Sequence, residues 1–141
     1  MKKRKAQVVI FCRDDEGKKH FLLLKTNKKR GEYWQNVTGS VEKNETYKQG
    51  ALREAKEETG LSQKDIVKVR STELCFQFHD RWGRDVKEKT FLIEVSKQFK
   101  VKIDPSEHCE SMWIQQNQIK AQVFKHINNY LSVVYAMETK C

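Results

Sequence analysis

Long apolar runs are missing from this chain. No stretch of its 141 residues reaches the ~18–20 consecutive apolar residues that a helix needs to cross a bilayer, so no membrane partner is expected. No secretory leader is expected either: the stretch MKKRKAQVVIF is basic, but its apolar run is short and no cleavage pattern follows. Cysteine occurs only as Cys12, Cys75, Cys109 and Cys141, far apart, with no Cys-x-x-Cys pair and no ordered histidine spacing. That argues against a zinc site. Repeats, low-complexity tracts and linker-like stretches are also lacking. These absences point to one reduced, cytoplasmic domain over residues 1–141.

What is present suits a globular protein. Hydrophobic residues make up 38% and aromatics 10%, and a chain of this size buries roughly two thirds of its unfolded surface. The formal net charge is +9, from 28 Lys and Arg against 19 Asp and Glu. Such a field attracts nucleotides, RNA, DNA or an anionic surface, although a solvated basic exterior has the same composition. Charge therefore suggests a phosphate-bearing partner without selecting one, and nothing selects an oligomeric state.

Local patterns divide the chain into elements. Residues 6–12 (AQVVIFC) read as a buried strand, 14–17 as its turn, and 20–26 (HFLLLKT) as the returning strand. A basic loop follows at 27–32, then a short strand at 33–37. Thr46 and Gln49 have the spacing of a capping box and Gly60 that of a left-handed C-cap, so a helix is predicted over 47–59. Gly50 inside it costs about 1 kcal/mol relative to alanine. Leu74, Phe76 and Phe78 alternate as in a half-buried strand, the RWGRD at 81–85 turns the chain into a strand at 89–95, and FKVKI at 99–103 alternates again. Phe124, Ile127, Leu131 and Val134 recur at helical spacing near the C-terminus. The expected class is α/β: a mixed sheet between helices, in one domain.

The segment GSVEKNETYKQGALREAKEETGL, residues 39–61, concentrates negative charge in a basic protein. On the predicted helix Glu54, Glu57 and Glu58 stand three and four residues apart, on one face, where like charges cost a few tenths of a kcal/mol per exposed pair. Lys56 points elsewhere, and Arg53 adjoins Glu54 without bridging the cluster. Either the face is simply solvated, or a hard divalent cation sits among these oxygens.

The wider spacing is G-x5-E-x7-R-E-U-x-E-E-x-G-U, with U aliphatic, filled by Gly39, Glu45, Arg53, Glu54, Ala55, Glu57, Glu58, Gly60 and Leu61. Seven fixed residues at abundances of roughly 6–7% each coincide about once in 10⁸ starting points. The segment resembles the signature box of the Nudix hydrolase superfamily (MutT-like), which implies a Nudix-type α/β/α sandwich. It also implies Mg²⁺, with Mn²⁺ as a substitute, held by Glu54, Glu57 and Glu58, and by the backbone carbonyl of Thr38. Arg53 and Glu45 become an orienting ion pair, and Gly39 a tight turn. A cation neutralises a pyrophosphate linkage and lowers the pKa of a bound water. A glutamate outside the coordination shell then accepts the proton, with Glu57 and Glu107 as rival candidates.

The runs YWQNVTGSVEKNET and EHCESMW are similar to those of bacterial dihydroneopterin triphosphate diphosphatases within that superfamily. The likeness implies cleavage of a nucleotide-like triphosphate between its α and β phosphates in folate synthesis, with Glu107 joining the metal ligands. Trp34 is a candidate for stacking on a ring, and Lys25, Lys28, Lys29 and Arg30 for holding phosphates. The hairpin tip with Arg81, Trp82 and Arg84 is a candidate for closing over the substrate. His79 and His108 are expected to be structural, and His126 to face solvent. Alternative substrates are nucleoside triphosphates, dinucleoside polyphosphates and RNA 5′ ends. A nucleotide-sensing module without catalysis is the alternative of another class, although such modules usually lose box glutamates.

Overall fold

In the computed structural model, which describes residues 2–123 and 127–139, the chain is organised around its first strand. Strand β1 (Lys3–Arg13) is buried without interruption from Ala6 to Cys12, because helices cover both faces of the sheet. Its alternate side chains separate accordingly. Ala6, Val8, Ile10 and Cys12 enter one core, and Val9 and Phe11 the other.

Six strands follow: β2 (Lys19–Thr26), β3 (Trp34–Gln35), β4 (Val37–Ser40), β5 (Ile66–His79), β6 (Asp85–Val95) and β7 (His108–Gln115). The order along the sheet is β3-β2-β1-β6-β5, with β4 paired to β1 and β7 to β2. The β1–β6 pairing is parallel and the others are antiparallel. A mixed sheet between helices is thus observed as expected.

Helix α1 (Tyr47–Thr59) has the bounds its caps foretold. Thr46 Oγ1 accepts from the Gln49 amide and the Gln49 side chain accepts from the Thr46 amide, while Gly60 closes the helix at φ 76°. Gly50 now has a reason: a Cβ there would stand 3.0 Å from a Val41 methyl and 3.2 Å from Glu45 Oε1. The missing side chain lets α1 lie against the segment that precedes it.

Helices α2 (Ile119–Gln122) and α3 (Ile127–Glu138) cover the other face. The apolar repeat of α3 does not face inward: Ile127 and Leu131 are exposed, and the buried residues are Asn129, Ser132, Val133 and Ala136. Hydrogen bonds turn the helix this way. Asn129 Oδ1 accepts from the Asn36 amide at 3.0 Å, and Ser132 Oγ lies 3.0 Å from Thr90 Oγ1. Phe124 and His126 lie outside the described residues.

Residues 99–103 form no strand despite their alternation. Phe99, Val101 and Ile103 pack on the first core, and the Lys102 amide caps Thr59 O at 2.8 Å. Cys12 is buried, and Cys75 and Cys109 are exposed and free. Among the described residues no helix is long and apolar enough to cross a membrane.

Candidate active site

Strand β4 and helix α1 meet where Gly39 faces Glu54. Gly39 makes no turn, contrary to expectation; it is a strand residue without a positive φ. A Cβ built on it would run into the Glu54 carboxylate. Glycine is needed here for a close approach of backbone to carboxylate.

Arg53 bridges far more than its neighbour. Its guanidinium contacts Glu45 (2.7 and 2.9 Å), Glu54 (3.0 Å), Glu57 (3.1 Å) and Glu42 (3.1 Å), and donates to Ser40 O at 2.9 Å. The orienting Arg53–Glu45 pair is therefore formed. It holds the Glu45 carboxyl down to about 2, chiefly through the hydrogen bond from Arg53. Glu45 in turn accepts from the Glu42 amide at 2.8 Å, which fixes the loop before α1.

The three helix glutamates do not share one environment. Side-chain exposure is 60% for Glu57, 14% for Glu54 and 2% for Glu58. Spacing alone made them equivalent, but the sheet beneath α1 separates them. Burial raises the pKa of Glu54, against the pull of Arg53. Glu58 is pushed up to about 9 by burial first, then by the charges of Glu54 and Glu107. Both Glu58 oxygens are buried and accept from no donor group, and a protonated Glu58 can share its proton only with the neighbouring Glu54 carboxylate.

His108 lies beside Glu58, wholly buried, as a structural histidine would. The Gln35 amide nitrogen is 3.4 Å from its Nε2. An amide nitrogen only donates, so Nε2 accepts and Nδ1 carries the proton. That Nδ1 is 3.8 Å from Glu58 Oε1 and has no hydrogen-bond partner. Burial, followed by the charge of Arg30, holds His108 down to about 4, so the ring is neutral. Gln35 stands within the WQ pair quoted from the sequence, but its role was not legible there.

The remaining candidates spread around this centre. Glu107 is paired with Arg30 at 3.1 Å, which brings that cation to the acidic cluster. Lys25 is linked to Glu110 at 3.4 Å, and Trp34 packs against the second core. Thr38 faces Gln7 on β1. At the β5–β6 tip Trp82 is exposed between Arg81 and Arg84, whose charges lie 4.4 and 5.0 Å from its ring. His79, also exposed, pairs with Asp85.

Among the described residues no three His, Cys, Asp or Glu side chains converge closely enough to hold an ion as they stand, since Arg53 draws Glu54 and Glu57 to itself. The donor set nevertheless fits a hard cation. Glu58 offers two unpartnered buried oxygens, and Glu54 and Glu107 add negative charge beside it.

The NUDIX domain family matches residues 2–134. The dihydroneopterin triphosphate diphosphatase of Haemophilus influenzae is 30% identical over 117 residues, which span 76% of this chain and 70% of that one. Among solved structures, the Escherichia coli dihydroneopterin triphosphate pyrophosphohydrolase aligns at a TM-score of 0.77 and 22% identity, covering 94% of this chain and 92% of the other. A Caenorhabditis elegans Ap4A hydrolase in a binary complex aligns at 0.74 and 22%, covering 94% and 95%. These two likenesses establish the fold.

Proposed function

This chain belongs to the Nudix family of hydrolases, and from that premise we propose that it adds water across the α–β anhydride of dihydroneopterin triphosphate, giving the monophosphate and pyrophosphate. The observation that carries the chemistry is Glu58, whose buried, unpartnered carboxylate oxygens lie beside two further carboxylates. Arg53 and Arg30 reach Glu54 and Glu107 but not Glu58, which burial keeps protonated; a bound cation would let it ionise beside the other two. The substrate rests on the Haemophilus influenzae relative.

Nudix hydrolases use divalent metal ions, and Mg²⁺ suits an all-oxygen set. Glu54, Glu58 and Glu107 would hold it, with Glu57 and the Thr38 carbonyl as further ligands. When bound, the ion neutralises phosphate charge and makes its water more acidic. Arg53 keeps Glu54 and Glu57 at the edge of the cluster and ties α1 to Ser40. Whichever of Glu57 and Glu107 stays out of the ion's shell would accept the proton of the attacking water. Arg30 and Lys25 supply positive charge for the phosphate chain.

Pyrophosphate release from dihydroneopterin triphosphate tests this directly, measured beside the common nucleoside triphosphates and dinucleoside polyphosphates at saturating Mg²⁺. The expected result is a kcat/KM at least about tenfold higher for the pterin, abolished by EDTA. Equal turnover of all substrates would remove the pterin assignment, and metal-independent turnover would remove the mechanism.

A further inference from the structure

On the sheet face opposite α1, a second carboxylate is buried without a cation. Glu88 on β6 is 2% exposed, and among the described residues no lysine, arginine or histidine pairs with it. Neutral donors hold it instead. Gln7 Nε2 donates to Oε1 at 2.7 Å and Asn128 Nδ2 to the same oxygen at 2.9 Å. Oε2 receives only a long contact of 3.4 Å from the Thr38 hydroxyl.

The carboxylate fixes the polarity of everything attached to it. It can only accept, so Gln7 must turn its nitrogen toward Glu88 and its oxygen away. Gln7 Oε1 then accepts from Asn36 Nδ2 at 2.8 Å. The Asn36 oxygen is left over, fully buried and without a partner. The atoms left with no partner, or with only a long one, are both acceptors: Asn36 Oδ1 and Glu88 Oε2, while each amide nitrogen of Gln7, Asn36 and Asn128 makes one bond. A polar knot built only to join strands would close on itself, since an unmet buried acceptor costs stability.

Two further features mark the place. Phe76 is the direct cross-strand partner of Glu88, so their side chains share a face, yet Phe76 is only half-buried and belongs to neither core. Thr38, which touches Glu88, immediately precedes Gly39 at the acidic cluster.

We infer that Glu88, with Asn36 beside it, is the specificity-determining site for a planar ring presenting adjacent N–H donors, the 2-amino-4-oxopyrimidine edge common to pterins and guanine. Glu88 Oε2, the oxygen with capacity left, accepts the ring N–H and the 2-amino group together, and Phe76 offers the ring an apolar wall. An adenine edge places an acceptor against the carboxylate and is rejected. This deepens the proposed function and rests on it for the triphosphate chain.

The test varies the ligand first, so that folding is not at issue. With the unaltered protein, GTP, ITP and ATP are compared by kcat/KM, and GMP, IMP and AMP by calorimetric Kd. Hypoxanthine lacks only the 2-amino group, and loss of one hydrogen bond to a charged acceptor weakens binding by about ten- to a hundredfold. The expected order in both series is guanine, then hypoxanthine, then adenine. Glu88→Gln, checked for an unchanged thermal melt, should collapse the guanine-to-adenine ratio by about tenfold or more. Guanine and hypoxanthine ligands handled equally would overturn the inference while leaving hydrolysis intact. The binding order without any pyrophosphate release would leave the ring site standing and overturn the hydrolase reading.

Discussion

Glu58→Gln is expected to lower kcat by about a thousandfold or more, because a metal site supplies several kcal/mol of transition-state charge stabilisation, and at the same time to make the metal-free protein more stable in alkali. The second effect follows from linkage. The ordinary value of this carboxyl is 4.5 and the folded value is about 9, so the native state favours the protonated form. Its contribution to stability is complete below pH 4.5 and is lost as pH rises through about 9. Glutamine is neutral throughout. The difference in Tm between variant and parent, measured in EDTA, should therefore be small near pH 5 and grow in the variant's favour toward pH 9. His108, held at about 4, acts in the opposite sense between 6.5 and 4, but it is common to both proteins and leaves the difference. Mg²⁺ should then raise the Tm of the parent at pH 8 and not that of Glu58→Gln. Parallel melting curves at every pH would show that Glu58 does not carry this strain.

Arg53→Met should cost about 10²–10³ in kcat/KM and about 1–3 kcal/mol of stability. The side chain is 25% exposed, so its ion pairs are partly screened. The loss is therefore mostly positional: Glu54 and Glu57 lose the fork that sets them, and misplaced catalytic groups are expensive. Arg53→Lys restores the charge but not the fork and should remain within about tenfold of Met. Glu45 provides a pH signature. Its folded value of about 2 lies below the ordinary 4.5, so the pair stabilises the protein above pH 4.5 and ceases to as pH falls through about 2. Acid melts of the parent should show that loss between pH 4.5 and 2, and those of Arg53→Met should not. A lysine variant with full activity would reduce the fork to a point charge.

The sequence was most legible where structure is local. Thr46, Gln49 and Gly60 are capping chemistry within single turns, and they delimited α1 as observed. The box residues likewise lie close along the chain, so the family resemblance could be carried onto Arg53 and Glu45 residue by residue, and the two are paired. Legibility failed where a partner strand or helix decides. Residues 99–103 alternate as a strand does, yet no strand pairs with them, and Phe99, Val101 and Ile103 simply pack on the first core. Ile127 and Leu131 marked a face of α3 that the Asn129 and Ser132 hydrogen bonds turn outward. Glu54, Glu57 and Glu58 looked alike because helical spacing carries no information about what lies beneath. Gln35, Asn36 and Glu88 were unremarked as site residues, since each acquires its role from groups distant in sequence.

The parallel pairing of β1 with β6 also sets an order of assembly. Gln7 and Asn36 are 29 residues apart, whereas Gln7 and Glu88 are 81 apart. Closing the longer loop costs about 1 kcal/mol more entropy, and during synthesis the second segment emerges later. Strands β1 and β4 with α1 can therefore dock while β6 is still unpaired, which sets Glu54 and Glu58 against the sheet before Glu88 and Glu107 arrive. Pulsed hydrogen exchange during refolding should protect amides of α1 and β4 ahead of those of β6; simultaneous protection would mean that the two halves fold as one nucleus. The nascent chain would then pass through a stage with Glu54 and Glu58 in place on α1 but with Glu107, which follows β6, and Glu88 on β6 still to come, so the cation ligands are completed only with the C-terminal third of the chain.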